Sequence, residues 1–110
     1  MRIGLVVPGG VDRSGTQRVI PALLALIERL ARENDVQVFA LRQEDRPATY
    51  ELLGATIHNI GTRPRGLRAL GAILREHRRK RFDVLHGFWA MPGAIAGLAG
   101  RALNLPWLHT

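Results

Sequence analysis

Apolar residues along the chain fall into short, mostly consecutive runs that are separated by longer amphipathic segments. Consecutive apolar residues rich in Val, Ile and Leu are typical of parallel strands that are covered on both faces. Five runs therefore predict β-strands: Arg2–Val7, Val36–Leu41, Ala55–Ile60, Phe82–His86 and Leu105–Thr110.

The segments between these runs show helical spacing, with apolar residues on one side and charged residues on the other. They predict helices over Gln17–Arg32, Leu67–Lys80 and Pro92–Leu103, and a single helical turn over Tyr50–Leu53. Pro21 fits the first helix only if that helix begins so late that the missing N–H has no partner to lose.

Strands that alternate with helices at this spacing imply right-handed crossovers and a parallel sheet. We therefore expect an α/β fold: a Rossmann-like, doubly wound parallel sheet of about five strands in a three-layer sandwich, with strand order 3-2-1-4-5. This order places the first strand beside the fourth, so the loops Gly9–Gly15 and His86–Met91 should line one crevice. Open α/β sheets bind ligands in such crevices, at the carboxyl ends of their strands.

Composition excludes several classes of protein. The chain has no cysteine, which excludes disulfide frameworks and thiolate metal sites or nucleophiles. The net charge of +7 favours anionic partners, but the few aromatic residues do not interleave with arginines as stacking platforms, so we expect no nucleic-acid partner. The four histidines lack metal-ligand spacing, and no Ser-His-Asp pattern or carboxylate pair is present, so no metal site is expected.

The loop after the first predicted strand is the first candidate site. Its glycines leave backbone N–H groups unshielded, and the N-terminus of the following helix carries partial positive charge. A hydroxyl side chain, Ser14 or Thr16, is placed to cap that helix. These features predict a phosphate or other anion site formed by Gly9, Gly10, Arg13, Ser14, Gly15 and Thr16. The other interpretation is a turn that only connects strand and helix.

The segment after the fourth predicted strand is the second candidate site. His86 ends that strand, where an imidazole with a pKa near neutrality can hydrogen-bond a hydroxyl or stabilise charge. Trp89 offers a flat face on which a sugar or another ring can stack. The other interpretation is a satisfied core histidine beside a core tryptophan.

The second predicted helix is amphipathic, with one apolar and one cationic face. Such a helix can lie on an anionic membrane, although a cationic face can equally serve only to keep a protein in solution. The cationic face consists of Arg68, Arg75, Arg78, Arg79 and Lys80. The N-terminal apolar run is too short for a secretory signal, and the longest uncharged segment, Val84–Gly100, is too short and broken for a membrane span.

Three stretches carry a resemblance to a known family: MRIGLVVPGG, SGTQRVIPALLALIERLARENDVQVFAL and FDVLHGFWAMPGAIAGLAGRALNLPWLHT. Together they resemble the N-terminal domain of GT-B glycosyltransferases, and glycosyltransferase family 4 in particular. The shared motifs are a glycine loop after the first strand, an Asp-apolar-apolar-His strand, and an Ala/Gly-rich helix leading to a strand that contains proline. The resemblance spans nearly the whole chain.

The resemblance implies a retaining glycosyltransferase, of the hexosyltransferase type, that moves a sugar from a nucleotide-sugar donor to a sugar or lipid-linked acceptor. It implies no metal and no cofactor, since the nucleotide-sugar is a co-substrate. In that family the N-terminal domain binds the acceptor and a C-terminal domain holds the donor. We therefore expect this chain to be a truncated N-terminal domain over residues 1–110 that lacks its C-terminal domain and is inactive alone.

The resemblance also implies roles for individual residues. The loop around Gly15, including Ser14, Thr16 and Gln17, matches the family loop that approaches the donor phosphates. His86 matches the first histidine of a frequent His-x-His motif and is the catalytic candidate, whereas the second position holds Phe88.

Two expectations about context follow. The protein should be cytoplasmic and peripheral at the inner face of the membrane, because membrane-associated relatives use a basic amphipathic helix in this domain. The alternative is a small, non-catalytic, flavodoxin-like binding or regulatory domain that recognises an anionic ligand. A second α/β domain in the same protein would favour the enzyme.

Overall fold

The computed structural model describes the backbone of residues 1–110 and every side chain except that of Ala90. The strands are β1 (Arg2–Val7), β2 (Asp35–Ala40), β3 (Ala48–Leu52), β4 (Ala55–Asn59), β5 (Val84–Gly87) and β6 (Trp107–His109). The helices are α1 (Pro21–Ala31), α2 (Arg65–Arg79) and α3 (Ala90–Leu103).

The strands form one sheet in the order β3-β4-β2-β1-β5-β6. All neighbours are parallel except β3 and β4, which are antiparallel. The predicted strands therefore occur in the predicted order 3-2-1-4-5, and the Rossmann-like α/β fold is confirmed. The sheet has six strands rather than five, because β3 is added at one edge.

The helical turn predicted over Tyr50–Leu53 is wrong, because this segment belongs mostly to β3. Tyr50 and Leu52 point toward the core while their neighbours face outward, which is the alternation of an edge strand. The turn into β4 is made by Leu53 and Gly54, both with positive φ, at 52° and 86°. Two such residues are the usual connection of a tight hairpin, and the hairpin pairs β3 with β4.

Two apolar clusters cover the two faces of the sheet and make the predicted three layers. Alternate residues of β1 show this division, since Leu5 packs toward α1 and Val6 packs toward α2 and α3. The α1 side is closed by Leu23, Leu24 and Ile27, and the opposite side by alanines and isoleucines of α2 and α3. Every residue of β1 is buried: the run from Ile3 to Val7 predicts this, whereas Arg2 is a buried charged residue.

The first helix starts later than predicted. Pro21 is its first residue, a position where the fixed φ of proline suits a helix and no N–H is needed. The residue before a proline is kept extended, and Ile20 accordingly has φ −107° and ψ 106°. Residues 17–20 are therefore not helical, and neither Ser14 nor Thr16 caps α1, whose N-cap is Ile20.

The Ala/Gly-rich helix α3 packs closely on the edge of the sheet. A Cβ added at Gly100 would lie 2.7 Å from Cδ1 of Trp107, and one added at Gly97 would lie 3.2 Å from the same ring. The missing side chains let the Trp107 ring of β6 lie directly against α3. This contact positions the start of β6, and the last residue of the same strand, His109, borders the candidate site.

Candidate functional site

The carboxyl ends of β1, β5 and β6 meet at one edge of the sheet. β5 pairs with β1 on one side and with β6 on the other, which confirms that the first and fourth predicted strands are neighbours. Beyond the strands, the N–H of Phe88 donates to the carbonyl of Val6 at 3.0 Å. The N–H of Trp89 donates to the carbonyl of Thr110 at 2.7 Å. The segment after β5 is therefore fastened on both sides.

His86 lies at the end of β5, half-buried, with its ring stacked on Phe88 at a centroid distance of 4.2 Å. Its Nε2 lies 2.7 Å from the hydroxyl oxygen of Thr110. Burial lowers the pKa of His86 below its ordinary value of 6.5, and the neighbouring His109 lowers it further. The imidazole is consequently neutral at pH 7, a form that can either donate to or accept from a hydroxyl group.

Phe88 stands where the resembling family often has a second histidine. Its ring is half-buried and packs against the apolar cluster on the α1 side of the sheet, which includes Val11 of the glycine loop. Phe88 and Val11 thus belong to the same apolar cluster, while His86 supplies a polar group at the end of β5.

Trp89 is 49% exposed, so it is not a core tryptophan. Its backbone has φ 67° and ψ 178°, a conformation that is almost restricted to glycine. The strained conformation is held by its carbonyl, which accepts hydrogen bonds from His109 Nε2 and from the N–H of Gly93, both at 2.9 Å. Strain held in place by its surroundings is a common property of functional sites, and here it presents an aromatic ring at the ends of the strands.

The backbone N–H groups of the glycine loop form more hydrogen bonds within the loop than the sequence predicts. Val11 and Val19 form an antiparallel bridge, and the N–H of Gly15, with φ 72°, donates to the carbonyl of Asp12 at 3.0 Å. Ser14 Oγ accepts from the N–H groups of Thr16 and Gln17 at 3.3 and 3.1 Å, so these amides already have acceptors. The predicted contribution of a helix N-terminus is wrong, because α1 begins only at Pro21.

The first glycines of this loop remain open to a ligand. Among the described residues, neither Gly9 nor Gly10 has an acceptor for its backbone N–H. Gly10 has φ 80°, and a Cβ there would lie 2.6 Å from Cγ1 of Ile20, so both the conformation and the space require glycine.

Arg13, predicted to bind an anion, is already paired. Its guanidinium lies 2.8 Å from Oε1 of Glu44 and over the ring of Tyr50 at 4.8 Å. The Tyr50 hydroxyl donates to the carbonyl of Val11 at 2.6 Å, and burial raises the pKa of Tyr50 to about 12. Arg13 and Tyr50 together hold the glycine loop against the β3 edge of the sheet.

A cavity of about 530 Å³ lies beside the glycine loop. It is lined by Arg18, Arg42, Gln43, Glu44, Asp45 and Arg46. Gln43 connects this segment to the loop, because its Oε1 accepts from the N–H of Val11 at 2.9 Å and its Nε2 donates to the carbonyl of Arg18 at 3.2 Å. No local pattern marks Gln43, since its partners are far away along the chain.

Asp12, which no motif identified, is the buried acid of this region, with 5% of its surface exposed. A hydrogen bond from Ser14 lowers its pKa, and Arg18, whose Nη2 lies 2.7 Å from Oδ1, lowers it too. Asp12 is therefore ionised at pH 7 and serves to hold Arg18 at the rim of the cavity.

The cationic residues predicted on the second helix lie on or just after α2, and all five are exposed. Arg79 pairs with Glu76 at 3.5 Å, and Leu67, also on α2, is 69% exposed. None of the helices described has the length and apolar character needed to cross a lipid bilayer. The described side chains include no group of three His, Cys, Asp or Glu arranged to hold a metal ion.

Comparison with known proteins adds one finding. Residues 15–110 match the family model of the glycosyl transferase 4-like domain, a match that includes His86, Trp89 and most of the sheet. No curated protein sequence matches the chain. The matched region covers well over half of the chain and agrees with the resemblance carried by its motifs. The chain therefore belongs to the glycosyl transferase 4-like family and is a glycosyltransferase domain.

Proposed function

We propose that this domain forms the acceptor-side wall of a retaining, metal-independent GT-B glycosyltransferase of the hexosyltransferase type. A C-terminal domain holds the nucleotide-sugar donor, and a hydroxyl group of a sugar or of a lipid-linked compound is the acceptor. The nucleotide-sugar is a co-substrate, and no cofactor takes part. Because the donor lies on the other domain, residues 1–110 alone are inactive.

One observation carries this proposal: His86, Trp89 and Thr110 converge at the carboxyl ends of neighbouring parallel strands. Ligands of open α/β sheets bind at this edge. The group combines a neutral imidazole, a hydroxyl and an exposed aromatic face. A sugar can hydrogen-bond to the first two through its hydroxyl groups and can stack on the third. The open N–H groups of Gly9 and Gly10 lie at the end of the adjacent strand β1.

The reaction breaks the bond between the anomeric carbon and the donor phosphate and forms a bond from that carbon to the acceptor oxygen. The acceptor proton passes to the departing phosphate. In this scheme the hydroxyl of Thr110 occupies a position at His86 Nε2 that a sugar hydroxyl can take. His86 then orients that hydroxyl, and Trp89 stacks on the apolar face of the sugar ring.

The loop from Gly9 to Gln17 is proposed to approach the donor phosphates. Backbone N–H groups suit phosphate oxygens, and Gly9 and Gly10 have theirs available. Thr16 and Gln17 are exposed at the tip of the same loop, so their side chains can reach toward a domain that faces it.

The protein is proposed to act in the cytoplasm at the inner face of the membrane. Its exposed residues Arg68, Arg75 and Arg78, with Leu67 in the first turn of α2, make a surface that fits anionic headgroups. Such a location suits an enzyme whose acceptor is a lipid-linked compound.

The test is a transfer assay on a protein that joins this domain to its C-terminal domain. Uridine, guanosine and adenosine diphosphate sugars are supplied with a panel of sugar and lipid-linked acceptors, with and without a metal chelator. We expect a product that retains the anomeric configuration of the donor. The rate of transfer should be the same with and without the chelator. His86→Ala should lower the rate and His86→Asn should lower it less, because the amide keeps a hydrogen bond to a hydroxyl.

Absence of both transfer and donor hydrolysis over the whole panel would count against the enzyme. Inverted configuration or a loss of activity in the chelator would overturn the corresponding part of the proposal and leave the family assignment unchanged.

A further inference from the structure

A second cavity, of about 400 Å³, lies on the outer flank of the sheet between α2 and the β3–β4 hairpin. Arg68 and Arg75 of α2 form one side, and Thr49 of β3 and His58 of β4 form the other. It shares no lining residue with the glycine loop or with the His86 segment, so it is separate from the proposed transfer site.

All the charge in the lining of this cavity is positive. Both charged residues of its lining are arginines, and no acid is among them. Glu76, which follows Arg75 in α2, is buried and its carboxylate is engaged by Arg2 and Arg79. Among the described side chains Arg75 makes no ion pair, and Arg68 uses only its Nε, which donates to the carbonyl of Arg63 at 3.1 Å. The outer nitrogens of both guanidinium groups therefore remain for a ligand.

Gly71 also lines the cavity, and it lies between the two arginines on the same face of α2. A Cβ added there would meet nothing within 4 Å, so the space above it is empty. Arg68 and Arg75 are two helical turns apart, about 10 Å between Cα atoms, so both side chains can reach one group held over Gly71. A side chain at position 71 would fill this space.

The opposite wall offers a hydroxyl group and carries no charge. Thr49 is exposed on β3, and its hydroxyl has no partner among the residues described. His58 is buried, its Nε2 lies 2.7 Å from Oε1 of Gln37, and burial lowers its pKa, so it is neutral at pH 7. Asn59 of the same wall is fixed by its bonds to the carbonyls of Glu44 and Arg46.

We propose that this cavity, between Arg68, Gly71 and Arg75 of α2 and Thr49 of β3, is a specific binding site for a phosphoryl group. Two guanidinium forks and a hydroxyl match the several oxygens of a tetrahedral anion better than they match a single carboxylate. The group belongs to a soluble phosphate ester or to a phospholipid headgroup. The site differs from a diffuse cationic surface because its arginines border a cavity of about 400 Å³ whose other side is the β3–β4 hairpin.

Titration calorimetry with inorganic phosphate tests the site, with a second arm that uses dihexanoyl phosphatidic acid below its critical micelle concentration. We expect saturable binding of one anion per chain. Arg68→Gln and Arg75→Gln should each weaken it at least fivefold, and Gly71→Leu should abolish it by occupying the open space above position 71. Arg78→Gln, which removes the same charge from α2 outside the cavity, should change the affinity less than twofold.

The two arms separate the sources of the phosphoryl group. Tighter binding of the short lipid indicates a headgroup, and equal or tighter binding of inorganic phosphate indicates a soluble ester; both support the site if the variants behave as stated. The proposal fails if neither arm saturates, or if Arg78→Gln weakens binding as much as Arg75→Gln does. It also fails if Gly71→Leu, with its helical circular dichroism intact, binds as tightly as the parent. None of these measurements depends on glycosyl transfer.

Discussion

The guanidinium of Arg2, with only 2% of its surface exposed, donates from Nη2 to Oε1 of Glu76 at 2.9 Å. The same group reaches Oδ2 of Asp35 at 3.0 Å and lies over the ring of Phe82 at 4.6 Å. Arg2 thereby ties together the beginnings of β1 and β2 and the last turns of α2. These contacts lie at the amino ends of the strands, whereas the candidate site lies at their carboxyl ends. We therefore expect them to affect the stability of the fold.

Removing this charge should destabilise the fold strongly. Arg2→Met leaves the buried carboxylate of Glu76 with only the exposed and more distant Arg79, at 3.5 Å, and breaking a buried pair in this way costs about 3–5 kcal/mol. Urea unfolding followed by circular dichroism measures the change. Arg2→Met combined with Glu76→Gln also removes the buried carboxylate charge and should recover about half of the loss. A single variant within about 1 kcal/mol of the parent would show that Glu76 is solvated without Arg2.

The same substitution should have opposite effects in two helices. Gly100→Ala places a methyl group 2.7 Å from Trp107 and should destabilise the domain by about 1–3 kcal/mol, as overpacking does. Gly71→Ala places its methyl group in open space within α2 and should stabilise by about 0.5–1 kcal/mol. Thermal and urea unfolding of both variants check the sign. Equal effects would mean that α3 can shift away from β6.

The parallel strands could be predicted because each contains a short apolar segment, even where polar residues such as Gln37 and His58 interrupt it, and their order is the usual one of a doubly wound sheet. The edge strand β3 could not be predicted as easily, since only Tyr50 and Leu52 of its five residues face the core. Its signal lay in the pair Leu53-Gly54, which makes the hairpin turn. The late start of α1 follows from Pro21 alone, once the preceding residue is required to be extended.

The candidate site likewise contains residues that could be predicted from the sequence and residues that could not. His86 and Trp89 could be identified because the end of a parallel strand is a local feature of the sequence. Gln43 could not, because its contacts with Val11 and Arg18 exist only after β1 and β2 have paired. Long-range hydrogen bonds of loop side chains leave no periodic pattern in the sequence.

Stability should fall between pH 7.5 and 5.5, in part because of His58. Burial lowers the pKa of His58 below 6.5, so the unfolded chain binds its proton at a higher pH than the folded chain does. The stabilisation is complete above about pH 6.5 and decreases as the pH falls toward the lower, folded pKa. His77 and His86 have lowered pKa values as well and contribute with the same sign.

His58→Gln isolates this contribution, because the amide can still donate to Gln37 and does not titrate. Urea unfolding at several values of pH from 7.5 to 5.5 should show a shallower loss of stability in the variant than in the parent. Carboxylates with lowered pKa values, such as Asp12, lose their contribution only at more acidic pH. Identical slopes in both proteins would mean that His58 is not the group that titrates.

Trp89 should affect acceptor binding more than turnover in the enzyme that joins this domain to its C-terminal partner. Trp89→Ala removes the exposed aromatic face and should raise the acceptor KM about tenfold, equivalent to the ~1.4 kcal/mol of an aromatic contact. Trp89→Phe keeps an aromatic ring and the same strained backbone, so its KM should lie within about threefold of the parent. A rise in the donor KM with an unchanged acceptor KM would place Trp89 on the other substrate.

Charge reversal on α2 should release the protein from anionic membranes. Arg75→Glu combined with Arg78→Glu removes two cations from the exposed face and adds two anions, whereas Arg79 is kept because it pairs with Glu76. Each basic residue near an anionic surface contributes about 1 kcal/mol, so binding should weaken by at least about tenfold. Co-sedimentation with phosphatidylcholine vesicles containing phosphatidylglycerol measures it, and high salt should weaken the parent likewise.

The matched control is Arg29→Glu combined with Arg32→Glu, which makes the same change of net charge at the C-terminal end of α1 and its C-cap, on the opposite face of the sheet. If α2 is the membrane-facing surface, this control should keep at least half of the parent's vesicle binding. An equal loss in both pairs would show that net charge alone governs the attraction. Undiminished binding of the α2 pair would remove the membrane proposal and leave the cationic face a solubilising one.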